Sequence, residues 1–175
     1  MITIKPAKLE DQNAITCLHA TSWQTVYAGL LQPQYLSEDV FSERGNVWQQ
    51  RFSQPVANQR IFVASEGQML LGFICIYLDQ HQEYGTLIEN LHVDANSKGK
   101  GIGKALLQHA ARVIQSDALH CGAYLEVLDQ NVSARHFYDY FGGTPIISQQ
   151  WQAPEGSLVD ELIYHWEDSA TILKR

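Results

Sequence analysis

The chain is short of cysteine, of long apolar runs and of basic tracts, and each shortage removes a class of protein. Cys17, Cys75 and Cys121 are odd in number and widely spaced. None belongs to a C-x-x-C pair, so neither a disulfide framework nor a thiolate zinc or redox centre is expected. Free, mostly buried thiols are the expected state. Apolar residues make up 45% of the 175 positions but come in short runs. None approaches the roughly 20 that a bilayer-spanning helix needs, so no membrane span is expected. The stretch MITIKPAKLED reaches proline and charge before any apolar run forms; no secretory signal is read there, and the cytoplasm is the expected location. With 12 Lys and Arg against 19 Asp and Glu, the formal charge is −7, which argues against nucleic acid as a partner. The seven histidines fall at no ligand spacing, so no metal is expected. No repeat, low-complexity tract or Ser/Pro-rich linker interrupts the chain, and its length suits one domain spanning residues 1–175.

What the chain does contain is a change of hydrophobic period. ITIKPA alternates as a short opening strand. LEDQNAITCLHATSWQTVYAG then spaces Leu9, Ile15, Leu18, Ser22 and Val26 in a helical pattern ending at Gly29. A second helix is read from Ser37, where SEDVF sets a cap residue before acidic first-turn residues, to about Phe52. RIFVASE, LLGFICIYLD and GTLIENLHV are β-rich runs with tight connections and are expected to be antiparallel neighbours. A helix over 102–116, the strand GAYLEVLD, a helix from about Ser133 to Phe141 stopped by two glycines, and strands near 144–151 and 158–166 complete the reading. The expected class is α/β (α+β): a mixed, mostly antiparallel seven-stranded sheet flanked by about four helices, in the order β1-α1-α2-β2-β3-β4-α3-β5-α4-β6-β7.

The densest chemical signal is DANSKGKGIGKALLQHAARVI, residues 94–114. Gly99, Gly101 and Gly103 open a helix straight after a strand, an arrangement that turns backbone N–H groups toward an anion with the helix dipole behind them. Lys98, Lys100 and Lys104 lie in the same turn with no acidic residue among them, so the local field is positive on a negative chain. A glycine-rich solvated turn is the competing reading. Spacing removes two phosphate loops. The pattern G-x-x-x-x-G-K-[ST] would need glycine at Lys98 and a hydroxyl at Ala105, and G-x-G-x-x-G would need glycine at Lys104 or Leu106.

The segment KGKGIG, Lys98 to Gly103, resembles [Arg/Gln]-x-x-Gly-x-[Gly/Ala], the acyl-CoA pyrophosphate loop of the GNAT acetyltransferase superfamily. Lysine stands at the first position, keeping the charge and losing the planar fork. LIENLHV is similar to the superfamily's fourth strand. YLEVLDQNVSARHFYDYFG is similar to its fifth strand and following helix, with Asn131 and Tyr138 seven apart. A departure is FGG at 141–143, where the family usually shows Gly-Phe.

The resemblance implies a GNAT-like fold, acetyl-CoA as cosubstrate without a metal, and a primary amine of a small molecule or peptide as acceptor. It further implies a bulge near Asn90 and Leu91, with the N–H of Leu91 facing the thioester carbonyl and Val93 pairing with the pantetheine arm, between two strands that splay apart. Leu91, His92, Val93, Lys98, Gly99, Lys100, Gly101, Ile102, Gly103, Lys104, Asn131 and Tyr138 are the expected cofactor contacts. Asn131 also suits an N-cap. Tyr138 is the candidate acid for the departing thiolate, with a core aromatic beside Phe137 and Phe141 as the alternative. Glu126 and Glu89 are both candidates for the base, with solvated strand residues and a water chain as the alternatives. Trp23 and Tyr27, one helical turn apart, are candidates for an aromatic wall of the acceptor pocket, or for core. A CoA-binding module without turnover is the runner-up function. A homodimer is a further expectation from the family.

Overall fold

The computed structural model describes all 175 residues. Strands run over Thr3–Pro6 (β1), Gln59–Glu66 (β2), Met69–His81 (β3), Gly85–Val93 (β4), Ala123–Leu128 (β5), Thr144–Gln152 (β6) and Leu158–Trp166 (β7). The main helices are Gln12–Val26 (α1), Val40–Ser53 (α2), Ile102–Asp117 (α3) and Val132–Tyr140 (α4). All strands join one seven-stranded sheet in the order β1-β2-β3-β4-β5-β7-β6. Every pairing is antiparallel except β4 with β5. That pair is parallel because α3 carries the chain back across the sheet between them. The expected fold class and element order are those found.

The two faces of the sheet are covered differently. On α3, Ile102, Leu106, Leu107, Ala110, Ala111 and Ile114 are buried. Their three-and-four spacing makes one apolar stripe along the helix. This stripe joins Ile74, Ile76, Ile88, Leu125, Val127, Tyr164 and Trp166 in a core of 21 buried residues. Gly72 lets the helix approach: a Cβ there would stand 2.8 Å from the His92 carbonyl and 3.1 Å and 3.2 Å from the Leu106 and Ile102 side chains. The opposite face, under α1 and α2, holds two smaller clusters of nine and five buried residues.

Three local expectations are corrected. The first helix stops at Val26, ahead of Gly29, and buries Ile15, His19, Ala20 and Trp23. Leu9 instead lies in a short 3-10 turn and is 68% exposed. The large surfaces of His19 and Trp23 rotate the buried stripe away from the aliphatic positions. The chain enters α2 through a widened helical turn at Tyr35–Asp39, pinned by buried Tyr35 and Leu36, and the Ser37 hydroxyl bonds back to the Gln34 carbonyl rather than capping. The bulge in β4 falls at Glu89: Cys75 opposes Asn90 and Ile76 opposes Ile88, leaving Glu89 as the extra residue. Arg51 of α2 donates to both Asn90 (2.6 Å) and Glu89 (2.9 Å). An extra residue lets two consecutive side chains turn to the same helix, which places the kink earlier than Asn90 and Leu91.

At the sheet edge, β6 carries Pro145 and a register shift past Ile146, both of which blunt strand pairing with another chain. No helix is long and apolar enough to cross a membrane.

Candidate active site

The parallel pair β4–β5 holds together only at Thr86–Ala123 and Leu87–Tyr124. Beyond Leu87 the strands part, so the β4 edge from Ile88 to Val93 faces a gap, as expected for a splayed pair. This gap is the one interruption in the ladder between neighbouring strands that reaches the strand ends at the glycine loop. Leu91 pairs with Ile74 and Val93 with Gly72 on the other side of β4, so their cross-gap backbone groups remain open.

At the end of the gap, Asp94 accepts from the Asn96 N–H and turns the chain into the loop. Gly99 and Gly101 both take φ +77°, a left-handed conformation that favours glycine. A Cβ built at either meets nothing within 4 Å, so the loop faces open space. No side chain caps α3, and its first helical bond runs from the Ala105 N–H to the Gly101 carbonyl. The N–H groups of Ile102, Gly103 and Lys104 are therefore without helical partners. Lys98, Lys100 and Lys104 are exposed and take part in none of the ion pairs. Together these groups make an open, positively charged helix N-terminus with free backbone donors.

Tyr138 of α4 belongs to the α3-side core. Its ring lies 5.9 Å from Tyr164 and 6.0 Å from Trp166, and 9% of the residue is exposed. Burial alone pushes its phenol up to about 12. The group is thus protonated at neutral pH, with no charge or hydrogen bond competing for its proton. Asn131 caps α4 by accepting from the Ala134 N–H at 3.2 Å, leaving its amide nitrogen free.

The carboxylates stand on the α1/α2 face. Glu126 on β5 opposes Ile163, and Leu128 opposes Glu161; residues opposed in an antiparallel pair share a face, so Glu126 and Glu161 are diagonal neighbours. Glu126 has its pKa raised by desolvation first, then by Glu161 and Glu89. Glu161 is 6% exposed and is raised by burial, against one hydrogen bond of 2.7 Å from Gln149. Glu89 is held by Arg51, beside an open cavity of about 420 Å³ lined by Val56, Asn58, Tyr77, Gln80 and Leu87.

Trp23 is buried in the smaller core cluster, with Arg44 stacked 4.1 Å from its ring centre and Tyr27 at 4.6 Å. Trp151 of β6 completes the aromatic group at 5.9 Å from Trp23 and 5.7 Å from Tyr27. The β6–β7 hairpin is tied to the α1–α2 connection by Glu155, which accepts the Gln32 N–H at 3.0 Å. His92 is turned away from the gap: its Nδ1 lies 2.9 Å from the Ser22 hydroxyl and its ring 4.6 Å from His19. Burial, Arg44 and Lys98 push its pKa down to about 4.

Sequence reasoning missed Glu161, Gln149, Trp151 and Arg51. Glu161 had a local signal, since it shares strand parity with Val159 and Ile163 and so puts a carboxylate in an apolar column. The others had none. No group of three His, Cys, Asp or Glu side chains is placed to hold a metal ion.

A sheet parted beside a glycine-opened helix, with a buried phenol on one side of the gap and carboxylates on the other, defines an acyl-CoA-dependent N-acyltransferase. The profile of the Acetyltransferase (GNAT) family matches residues 23–142. YuaI, an uncharacterized N-acetyltransferase of Bacillus subtilis (strain 168), is 24% identical over 143 residues, covering 80% of this chain and 79% of its own. Spermidine N-acetyltransferase from Vibrio cholerae, solved with CoA and spermine, superposes with a TM-score of 0.71 at 17% identity over 98% of both chains. PaiA N-acetyltransferase from Thermoplasma acidophilum, solved with coenzyme A, gives 0.66 at 20% identity over 92% of this chain and 98% of its own. The chain belongs to the GNAT acetyltransferase family.

Proposed function

We propose that the protein transfers the acetyl group of acetyl-CoA directly to a primary amine of a small molecule or peptide. The observation that carries the reading is the parted β4–β5 pair beside the glycine-opened helix α3, with Tyr138 in the core on one side of the sheet and Glu126 of β5 on the other. The pyrophosphate would lie on the N–H groups of Gly101 to Lys104, with the lysines balancing its charge. The pantetheine arm would run down the free β4 edge past Val93, bringing the thioester to Leu91. Its N–H would meet the charge that develops on the carbonyl oxygen.

Attack requires a neutral amine. Glu126 is the better base of the two glutamates, because desolvation and its acidic neighbours raise its proton affinity while Arg51 occupies Glu89. The amine nitrogen bonds to the carbonyl carbon, the C–S bond breaks, and the Tyr138 hydroxyl gives its proton to the departing thiolate. An acid kept neutral by burial suits that step. The CoA and spermine bound in the Vibrio neighbour, and the CoA bound in PaiA, support the choice of donor and of acceptor class.

The test is a screen of primary amines with acetyl-CoA, read by release of free thiol. Acetylated amine and thiol in equal amounts are the expected result. Acetyl-CoA binding with no amine accepted would reduce the protein to a CoA-binding module.

A further inference from the structure

The bulge in β4 sits just before Leu91, and one side chain grips it. In a regular strand consecutive side chains point to opposite faces. Glu89 and Asn90 nevertheless turn to the same partner: Arg51 of α2 donates to Asn90 Oδ1 at 2.6 Å and to Glu89 Oε1 at 2.9 Å. Both bonds can form together only while Glu89 is the extra residue, with Asn90 opposite Cys75 and Ile88 opposite Ile76. The same bulge decides where the Leu91 N–H points. Further along β4, the Asp94 N–H donates to the Leu71 carbonyl of β3 at 2.9 Å. Backbone groups alternate along a strand, so the N–H groups of Val93 and Leu91 point away from β3, into the gap. With the paired residues Thr86 and Leu87 fixed, loss of the extra residue would slip the register by one and turn the Leu91 N–H back onto β3.

Arg51 is itself held in place. Its side chain is 13% exposed, and its guanidinium lies 4.7 Å from the Trp48 ring centre and 5.9 Å from that of Tyr77. Its backbone carbonyl accepts from the Gln59 amide at 3.0 Å, and Gln59 accepts the Tyr77 hydroxyl at 3.2 Å. A basic residue in the last turn of α2 also suits the helix dipole. That role needs a charge alone, which a lysine facing water would meet. A planar fork packed against two rings and bonded to two consecutive residues does more. We propose that Arg51 is a positioning residue for acetyl transfer: it locks the β4 bulge and so keeps the Leu91 N–H aimed at the thioester carbonyl. This rests on the acetyl-transfer reading above. Leu91 and Val93 pack against the α3-side core, so β4 is fixed from that face by apolar contact and from the α2 face by the arginine. A donor held rigidly before the reaction is worth most where charge develops.

The experiment compares wild type with Arg51→Met, which keeps the stem and deletes the fork, Arg51→Lys, which keeps the charge, and Asn90→Ala, which removes one of the two grips. Two readouts are taken: steady-state kinetics with the best amine found, and the infrared carbonyl stretch of acetyl-CoA carrying a ¹³C carbonyl, bound to the full chain without amine. In wild type the stretch should lie below that of free acetyl-CoA, because a hydrogen bond weakens the C=O bond. In Arg51→Met it should return toward the free position, and kcat should fall by at least about tenfold, up to the 10²–10³ that loss of one oxyanion donor costs. The CoA dissociation constant should change by less than about threefold, which separates positioning from general damage to the fold. Arg51→Lys should recover only part of kcat, since an ammonium cannot hold both partners in one plane. Asn90→Ala should lower kcat alone but add little in the Arg51→Met background, the non-additivity of groups acting through one contact. Should Arg51→Met fail to fold, Asn90→Ala carries the test with the same two readouts. Wild-type kcat and an unmoved stretch in a folded Arg51→Met or Asn90→Ala protein would overturn the assignment and leave acetyl transfer standing. A stretch that depends on Arg51 in a protein that acetylates no amine would uphold the positioning and overturn the transfer.

Discussion

The two faces of the sheet divide the work of the molecule. Under α3, 21 buried residues form one core of aliphatic and aromatic side chains, with Tyr138 as its polar margin. Under α1 and α2, the buried set includes His19, Arg44 and Glu161, split between clusters of nine and five apolar residues. Two side-chain atoms of α1, Thr16 Oγ1 and His19 Nε2, are buried without any hydrogen-bond partner. One face supplies packing energy, and the other spends some of it holding charge and unpaired polar groups near the gap. The α3-side core anchors the glycine loop, since α3 begins there, while buried polar groups collect on the other face.

The largest effect expected from this division comes from truncating the α3 stripe. Leu106→Ala, at a fully buried position, should cost about 2–5 kcal/mol in urea unfolding. Leu31→Ala, in the nine-residue cluster, should fall at the low end of that range. Equal costs would erase the distinction between faces. Next, Gly101→Asp puts a carboxylate and a Cβ into the anion cradle. It should remove the stabilisation by CoA in a thermal shift, about 2.7 kcal/mol at a hundredfold excess over Kd. A wild-type shift in that variant would make the loop a plain turn.

A smaller effect concerns acid. His19 and His92 are held below the ordinary value of 6.5 by burial, His92 at about 4. Unfolded, these histidines take up protons at higher pH than in the folded chain. Their stabilising contribution is complete above about 6.5 and is lost as pH falls, by up to about 1.4 kcal/mol per pH unit for each. Urea midpoints should drop between pH 7 and pH 5, and His92→Asn should flatten that decline. A flat wild-type profile would contradict the placement of both rings.

The smallest effect has the opposite sign. Glu161 is raised by burial, so the folded state loses stability as pH rises from the ordinary carboxylate range through that raised value. Glu161→Gln should therefore raise Tm at pH 7 by roughly 2–4 °C, the shift that goes with about 1 kcal/mol in a chain of this size. The gain should fade toward pH 4. A lower Tm at pH 7 would show that the carboxylate is satisfied where it stands.

The same division explains what was legible in the sequence. The α3 face was readable because its signals are local: the stripe from Ile102 to Ile114, the glycine spacing of 99–103 and the Asn131–Tyr138 interval all lie within single elements. On the polar face, Gln149, Glu161 and Glu126 meet only through the registers of β6, β7 and β5, and Arg51 reaches Glu89 across 38 residues. Hydrophobic periodicity carries no information about such pairings. It also placed the buried stripe of α1 on aliphatic residues, because nothing local says that His19 will be sealed by Trp48, whose indole N–H it accepts at 3.0 Å. His92 was expected among the cofactor contacts from the family resemblance, which does not say where its side chain packs. Its side chain lies against Ser22.

Tyr138 is the polar margin of the α3-side core, and its hydroxyl tests most directly whether the parted strands form a catalytic gap. Tyr138→Phe keeps the buried ring among Phe137, Tyr164 and Trp166 and deletes one oxygen. Steady-state kinetics with the best amine, beside direct titration of CoA and circular dichroism, separate chemistry from binding and folding. The expected result is a kcat lower by at least about tenfold, within the 10²–10⁴ that general acid catalysis commonly contributes or somewhat short of it. The CoA dissociation constant should change by less than about threefold. A folded, CoA-binding variant with wild-type kcat would contradict the assignment of Tyr138 as the acid.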